Sequence, residues 1–217
     1  MLFLIITLAV TAILSACVLY RYKEDLQFGI VSAVLLAILH TALGVFCVKV
    51  FAGLESHQNP LDAGMSLFGA LFLLPLFYLA GGKLAHRDIA LVFDDFGICV
   101  MIALMCVRCN CIVTGCCMGK PIAGTDLFWP TRQIEILFWA VLLLLSLYQK
   151  NHGYTRGILY PQMLMLYGIF RFCIEFLRNE DAVLWVFHFG HIWAVVAFIA
   201  GSTCYYYMQE RSRRVSR

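Results

Sequence analysis

The sequence predicts an all-α, polytopic membrane helical bundle of seven transmembrane helices, with the amino terminus outside and the carboxy terminus cytoplasmic. Three observations carry that prediction. The 217 residues are 62% hydrophobic and 13% charged. Their mean hydropathy of +0.85 is far above what a water-soluble domain of this size carries. Seven apolar stretches of roughly 17 to 24 residues, each long enough to cross a bilayer, can be drawn along the chain. Finally, the Lys and Arg residues alternate between the ends of these stretches in a way that sets the orientation.

The first stretch, 2–20, contains Leu14-Ser15-Ala16-Cys17, which reads like the box at which lipoproteins are lipidated and cleaved. A cleaved signal needs basic residues before its apolar core. None precedes it here; Arg21 and Lys23 follow it, so an uncleaved span is expected. The second, 28–51, carries His40 midway, expected to be a hydrogen-bonded packing residue, and Lys49 near its end. The third, 62–81, is followed by Lys83 and Arg87. The fourth, 89–107, has Asp94 and Asp95 towards its inner end, where interfacial capping is expected. The fifth, 133–148, starts with Glu135 and ends before Lys150 and Arg156. The sixth covers 157–177, and the seventh, 184–207, runs into Arg211, Arg213, Arg214 and Arg217.

Arg21, Lys23, Lys83, Arg87, Lys150, Arg156 and the terminal arginines therefore share one side, the cytoplasmic one. The basic tail suits an anionic inner leaflet and not a nucleic acid. No linker, repeat or low-complexity tract interrupts the stretches, so residues 1–217 are expected to form a single transmembrane domain. The longest connection, about 108–132, has the length at which loops tend to be functional.

Six of the sixteen basic residues oppose the orientation bias: Lys49, Arg108, Lys120, Arg132, Arg171 and Arg178. Tyr167, Arg171, Glu175 and Arg178 recur at steps of four, four and three, so they share one helical face. A charge near the bilayer centre costs about 2.5–3.5 kcal/mol even on a lenient scale, so such a face turns to the bundle interior or a wet cavity. At ~1.5 Å per residue Arg171 lies in the outer third of the membrane, and Arg108 lies near the outer end of the fourth span. Glu135, His188 and His191 complete a ring at that depth. Two guanidiniums held there match a phosphodiester, whose oxygens an arginine fork binds bidentately, and a phospholipid headgroup is the nearest source. An internal ion pair that fixes helix packing is the plainer role for Arg171 and Glu175.

Arg108 opens a segment rich in glycine and cysteine that ends at Lys120 and reads as the end of the fourth helix. Six of the ten cysteines fall between 99 and 117. The spacing of Cys109, Cys111, Cys116 and Cys117 fits no common zinc pattern, and neither a metal nor a cofactor is expected. A disulfide, a thiolate with a pKa lowered by Arg108 or Lys120, or inert thiols remain alternatives.

Arg108, Gly115 and Gly119, with Tyr167-Gly168-Ile169-Phe170-Arg171 and Glu175-Phe176-Leu177-Arg178 later, resemble the prolipoprotein diacylglyceryl transferases. The first set matches their Gly-Arg-x-Gly-Asn-Phe-x-Asn-x-Glu-x-x-Gly signature in spacing; the second matches their Tyr-Gly-x-x-Arg-x-x-x-Glu-Phe-x-Arg block. Asp94, Gly64-Met65-Ser66, Pro130 with Glu135, Asp181 and Gly190-His191 add matches, so the resemblance covers about residues 60–200. The departures are specific. Cys111, Thr114 and Cys116 replace the signature's Asn, Asn and Glu; Phe68 replaces the family's functional His; and the early Tyr-Gly motif is missing. The Gly-Cys-Cys-x-Gly pattern is similar to that of a transferase-related subfamily.

The resemblance implies a multi-pass protein of the bacterial inner membrane that moves a diacylglyceryl group from phosphatidylglycerol, or a related phospholipid, to the cysteine of a preprolipoprotein or another acceptor. Arg108 and Arg171 would neutralise the departing glycerol phosphate, Glu175 would orient Arg171, and Cys111 or Cys116 would stand among the candidate bases. Tyr167, Gly115, Gly119, Lys120, Glu135, His191 and Arg178 would contribute to substrate binding. The alternative is a thiol-redox or lipid-binding protein that uses the 109–117 cysteines without transfer.

Overall fold

A computed structural model describes residues 2–179 and 187–215. Asp181, the first residues of the predicted seventh stretch and Arg217 lie outside them. The described residues are helical almost throughout: α1 (Leu2–Arg21), α2 (Lys23–Leu26), α3 (Ile30–Ser56), α4 (Phe68–Phe72), α5 (Leu74–Leu84), α6 (Ile89–Thr114), α7 (Thr131–His152), α8 (Leu159–Glu175) and α9 (Phe189–Val215). They group into two compact units, Met1–Leu104 and Met105–Arg217, the division falling within α6.

Five helices, α1, α3, α6, α7 and α9, are long and apolar enough to cross a membrane. The chain is thus a multi-pass membrane protein, but two of the seven expected stretches do not form long helices. The third breaks into α4 and α5, with Pro75 in the first turn of α5, where its missing N–H costs no intrahelical bond. The sixth forms α8, of 17 residues, which at ~1.5 Å each reaches about 26 Å against a hydrocarbon core of about 30 Å.

In the first unit α1 packs along α3, which also meets α4 and α5. The pattern inverts that of a water-soluble protein. On α1 the buried residues are Thr11, Ser15 and Leu19, whereas Leu2, Phe3, Ile5, Ile6 and Ile13 are exposed, as a lipid-facing surface requires. His40 is buried and shares a 3.0 Å hydrogen bond with the Tyr78 hydroxyl through Nδ1, and both rings lie against Phe96. This is the packing role expected for it. Lys49 donates to the carbonyl of Ala63 at 2.6 Å, closing the turn after α3. Asp94 and Asp95 are fully buried and so are not interfacial caps. Phe68, at the position where the resembling family has its histidine, is a buried ring stacked on Phe72.

In the second unit α8 lies closely along α9 and also contacts α7. A β-carbon at Gly168 would come within 2.6–2.7 Å of the backbone of Ala194 and Phe198, so glycine sets the approach of the two helices. Between α7 and α8, Phe138 stacks on Phe170 at 4.0 Å and Trp139 on Tyr167 at 4.7 Å. The predicted long connection is shorter than 108–132, because α6 continues to Thr114. Gly115 then takes φ +72°, a left-handed conformation that ends the helix and that glycine adopts without a β-carbon clash. Beyond it the chain is ordered by its own backbone. Ile122 donates to Leu127 at 2.8 Å, Trp129 to Lys120 at 3.0 Å and Lys120 to Leu177 at 2.8 Å.

Candidate active site

The second unit gathers its ionisable residues around two buried carboxylates. Glu135, on the first turns of α7, is fully buried. Its stripe, Thr131, Glu135, Trp139, Leu142 and Ser146, is the buried face of that helix. Arg108 of α6 forms an ion pair through Nε with Glu135 Oε2. Arg171 Nη1 and Arg178 Nη1 both reach Glu135 Oε1, at 3.4 and 3.3 Å. Glu175, one turn beyond Arg171 on α8, pairs with Arg171 Nη2 at 2.8 Å and lies 3.8 Å from Arg178 Nε. Charges this deep are maintained only by mutual pairing, since an unpaired one would bear its desolvation alone.

Arg178 reaches this cluster from outside the helix. α8 stops at Glu175, and the chain tightens into two i to i+3 bonds, Leu177 to Ile174 and Arg178 to Glu175. That turn keeps Arg178 on the side that Tyr167, Arg171 and Glu175 share, and Arg178 then bridges to Gly119. A single helical face over 167–178 was too simple an expectation, although its four polar residues converge as it required.

Two glycines mark close approaches. A β-carbon at Gly119 would collide with the Trp129 carbonyl and come within 3.0 Å of the Leu177 carbonyl, so the space it leaves is filled by this chain. At Gly190, the second residue of α9, a β-carbon would strike the Glu175 carboxylate. Gly190 thereby lets α9 start against the buried ion cluster. Lys120 enters the site region through its backbone bonds, and its side chain is exposed. His191 is buried among Phe172, Phe176 and Phe187, with Nδ1 accepting the His188 backbone N–H at 3.0 Å. His188 Nδ1 lies 3.7 Å from Glu175 Oε1. Tyr167 is fully buried beneath Trp139.

The thiols form a second cluster in the same unit. Among the described residues no disulfide joins the cysteines. Cys111 is buried on the last turns of α6, Cys116 is exposed, Cys117 is half-buried, and the three Sγ atoms lie within 4.8 Å of one another. Cys109 is exposed and stands apart from them. Arg132 holds the segment in place, its Nη1 donating to the carbonyls of Cys111 at 3.0 Å and Cys116 at 3.2 Å. The Cys117 thiol is pulled down to about 5, chiefly because the Cys111 thiol donates a hydrogen bond to it, with the Arg108 and Arg178 guanidiniums adding to that effect against burial.

Sequence reasoning placed Arg108, Glu135, Arg171, Glu175 and Arg178 at similar depth, and the structure joins them in one network. It gave no role to Trp139 or to Arg132's hold on the thiol segment, and it named Gly190 only as a motif match. The signal for Trp139 was present, since positions 131, 135, 139, 142 and 146 recur at helical spacing.

The sequence profile of the family described as prolipoprotein diacylglyceryl transferase matches residues 2–207. The chain is also similar to phosphatidylglycerol–prolipoprotein diacylglyceryl transferases from two strains of Dehalococcoides mccartyi. Each is 22% identical over 206 residues, covering 83% of this chain and 78% of the relative.

Proposed function

The chain belongs to the prolipoprotein diacylglyceryl transferase family, and from that membership we propose that it transfers a diacylglyceryl group from phosphatidylglycerol to a cysteine thiol of a lipoprotein precursor. One observation supports this reading above the others: Arg108 of α6 and Arg171 of α8 meet at Glu135 of α7, inside a membrane protein, where an anionic headgroup is the nearest ligand.

In this reading the acceptor sulfur attacks the glyceryl carbon that bears the phosphoester, and glycerol phosphate departs as negative charge grows on its oxygen. Arg108 and Arg171 face that charge, and Glu135 and Glu175 hold the two guanidiniums in place before the reaction begins. Cations fixed in advance in a low-dielectric site need no reorganisation in the transition state, and removing one donor of this kind typically costs about 3 kcal/mol of barrier. Tyr167 and Arg178 line the same side. Cys111 and Cys116 stand at the positions where the family signature has Asn and Glu, and Phe68 cannot accept a proton. We place the protein in the bacterial inner membrane with seven crossing segments, α4–α5 and α8 among them.

The test is transfer by the purified protein in liposomes of labelled phosphatidylglycerol with a cysteine-containing lipoprotein-precursor peptide. The expected result is a labelled peptide together with released glycerol phosphate, reduced about 100-fold or more in Arg171→Ala. Failure of both products with every acceptor tried refutes the proposal.

A further inference from the structure

The thiol cluster has the features of a metal site with one position left open. Cys111, Cys116 and Cys117 place three soft ligands within 4.8 Å of one another, and among the described residues no fourth His, Cys, Asp or Glu joins them. With zinc–sulfur bonds of about 2.3 Å, tetrahedral ligands stand about 3.8 Å apart, so the thiols need to close by no more than about 1 Å. Three protein ligands and a vacant fourth position are what separates catalytic zinc from structural zinc.

The surroundings are built for such an ion. Cys111 is fixed by helix α6, and the left-handed Gly115 folds the chain back so that Cys116 and Cys117 return over it. Cys117 itself takes φ +56°, a conformation that a residue with a β-carbon keeps only under constraint. Arg132 clamps the carbonyls of two of the three cysteines, the kind of outer contact that fixes ligand orientation. Cys116 is exposed, which gives the ion and a further ligand a way in. Three thiolates on a divalent ion carry one net negative charge.

We propose that Cys111, Cys116 and Cys117 bind one zinc ion, and that the acceptor's cysteine sulfur occupies the open position as a thiolate. This rests on the transfer reading above and activates the acceptor thiol without the base that Phe68 cannot be. The acceptor S–H gives its proton to water as the sulfur binds zinc, because a metal-bound thiol is deprotonated outright. The sulfur lone pair then forms the S–C bond to the glyceryl carbon. The C–O bond to phosphate breaks, and its electron pair leaves with glycerol phosphate. The zinc stays divalent and nothing is oxidised or reduced.

The full chain, purified in detergent, reduced and freed of metal with a chelator, is titrated with Co²⁺, whose thiolate complexes absorb strongly by charge transfer. One cobalt per chain with that absorption is expected, retained in Cys109→Ser and lost in both Cys116→Ser and Cys117→Ser. Adding a cysteine-containing peptide should shift the spectrum, and a serine version of the peptide should not. No thiolate absorption, equal absorption in Cys116→Ser, or a native disulfide among these cysteines by mass spectrometry would overturn the metal site. A spectrum blind to the cysteine peptide would overturn the open position. Zinc removal is expected to lower transfer by about 100-fold or more. Transfer at an unchanged rate without zinc sinks this inference and leaves the transferase reading standing. Cobalt binding with the peptide-induced shift but no transfer sinks the transferase reading and leaves the site standing.

Discussion

Glu135→Ala is the most informative substitution, because three guanidiniums from different parts of the second unit converge on that carboxylate. Arg108, Arg171 and Arg178 all contact it, and its side chain has no exposure. Removing it leaves buried positive charges facing one another with Glu175 the nearest remaining carboxylate. Breaking a buried ion pair by deleting one partner costs about 3–5 kcal/mol. For a chain of this length that corresponds to a fall of about 6–20 °C in midpoint temperature. Thermal unfolding in detergent, followed by exposure of buried cysteines to a fluorogenic maleimide, measures it. Glu135→Gln, which retains an acceptor and the shape but not the charge, should fall between wild type and alanine. The double variant Arg108→Ala/Glu135→Ala should show a coupling of about 0.5–3 kcal/mol, since Arg108 no longer has an uncompensated charge to bury. A Glu135→Ala midpoint within about 2 °C of wild type, together with single effects that simply add, would refute the reasoning that this carboxylate organises the site.

Gly190→Ala places a methyl group against the Glu175 carboxylate, so it should cost about 1–3 kcal/mol in thermal unfolding and reduce transfer, whereas Gly64→Ala, with open space around it, should do neither. Tyr78→Phe leaves His40 Nδ1 without its 3.0 Å partner and should destabilise the protein by about 1–3 kcal/mol, read from the same unfolding assay. In the folded, metal-free protein a polar maleimide should modify Cys109 and Cys116 quickly and Cys111 only after denaturation, following their exposure, with peptide mass spectrometry identifying each site.

Much of the fold was legible because a membrane imposes strong rules. Apolar length marks α1, α3, α6, α7 and α9, and those helices are where hydropathy put them. The rules failed where length and hydropathy cease to decide. Pro75 splits the third stretch, α8 stops once its charged end is reached, and α6 runs two turns past Arg108. The helix end there depends on one left-handed glycine, Gly115. Asp94 and Asp95 are covered by protein, which periodicity does not reveal, because it fixes a residue's depth and face but not what covers it.

By itself, the sequence determined that this protein lives in a membrane and which polar side chains share a depth. It also determined that the segment after Arg108 is dense in cysteine. Local periodicity and composition are enough for that, since each follows from the chain's own geometry. Only the tertiary structure decided that Glu135 is the meeting point of Arg108, Arg171 and Arg178, that Gly190 makes room for Glu175, and that Cys117 joins Cys111 and Cys116 while Cys109 does not. Those outcomes depend on helices distant in sequence and on the direction in which one turn sends the chain. Neither is encoded in the spacing of residues along a single segment.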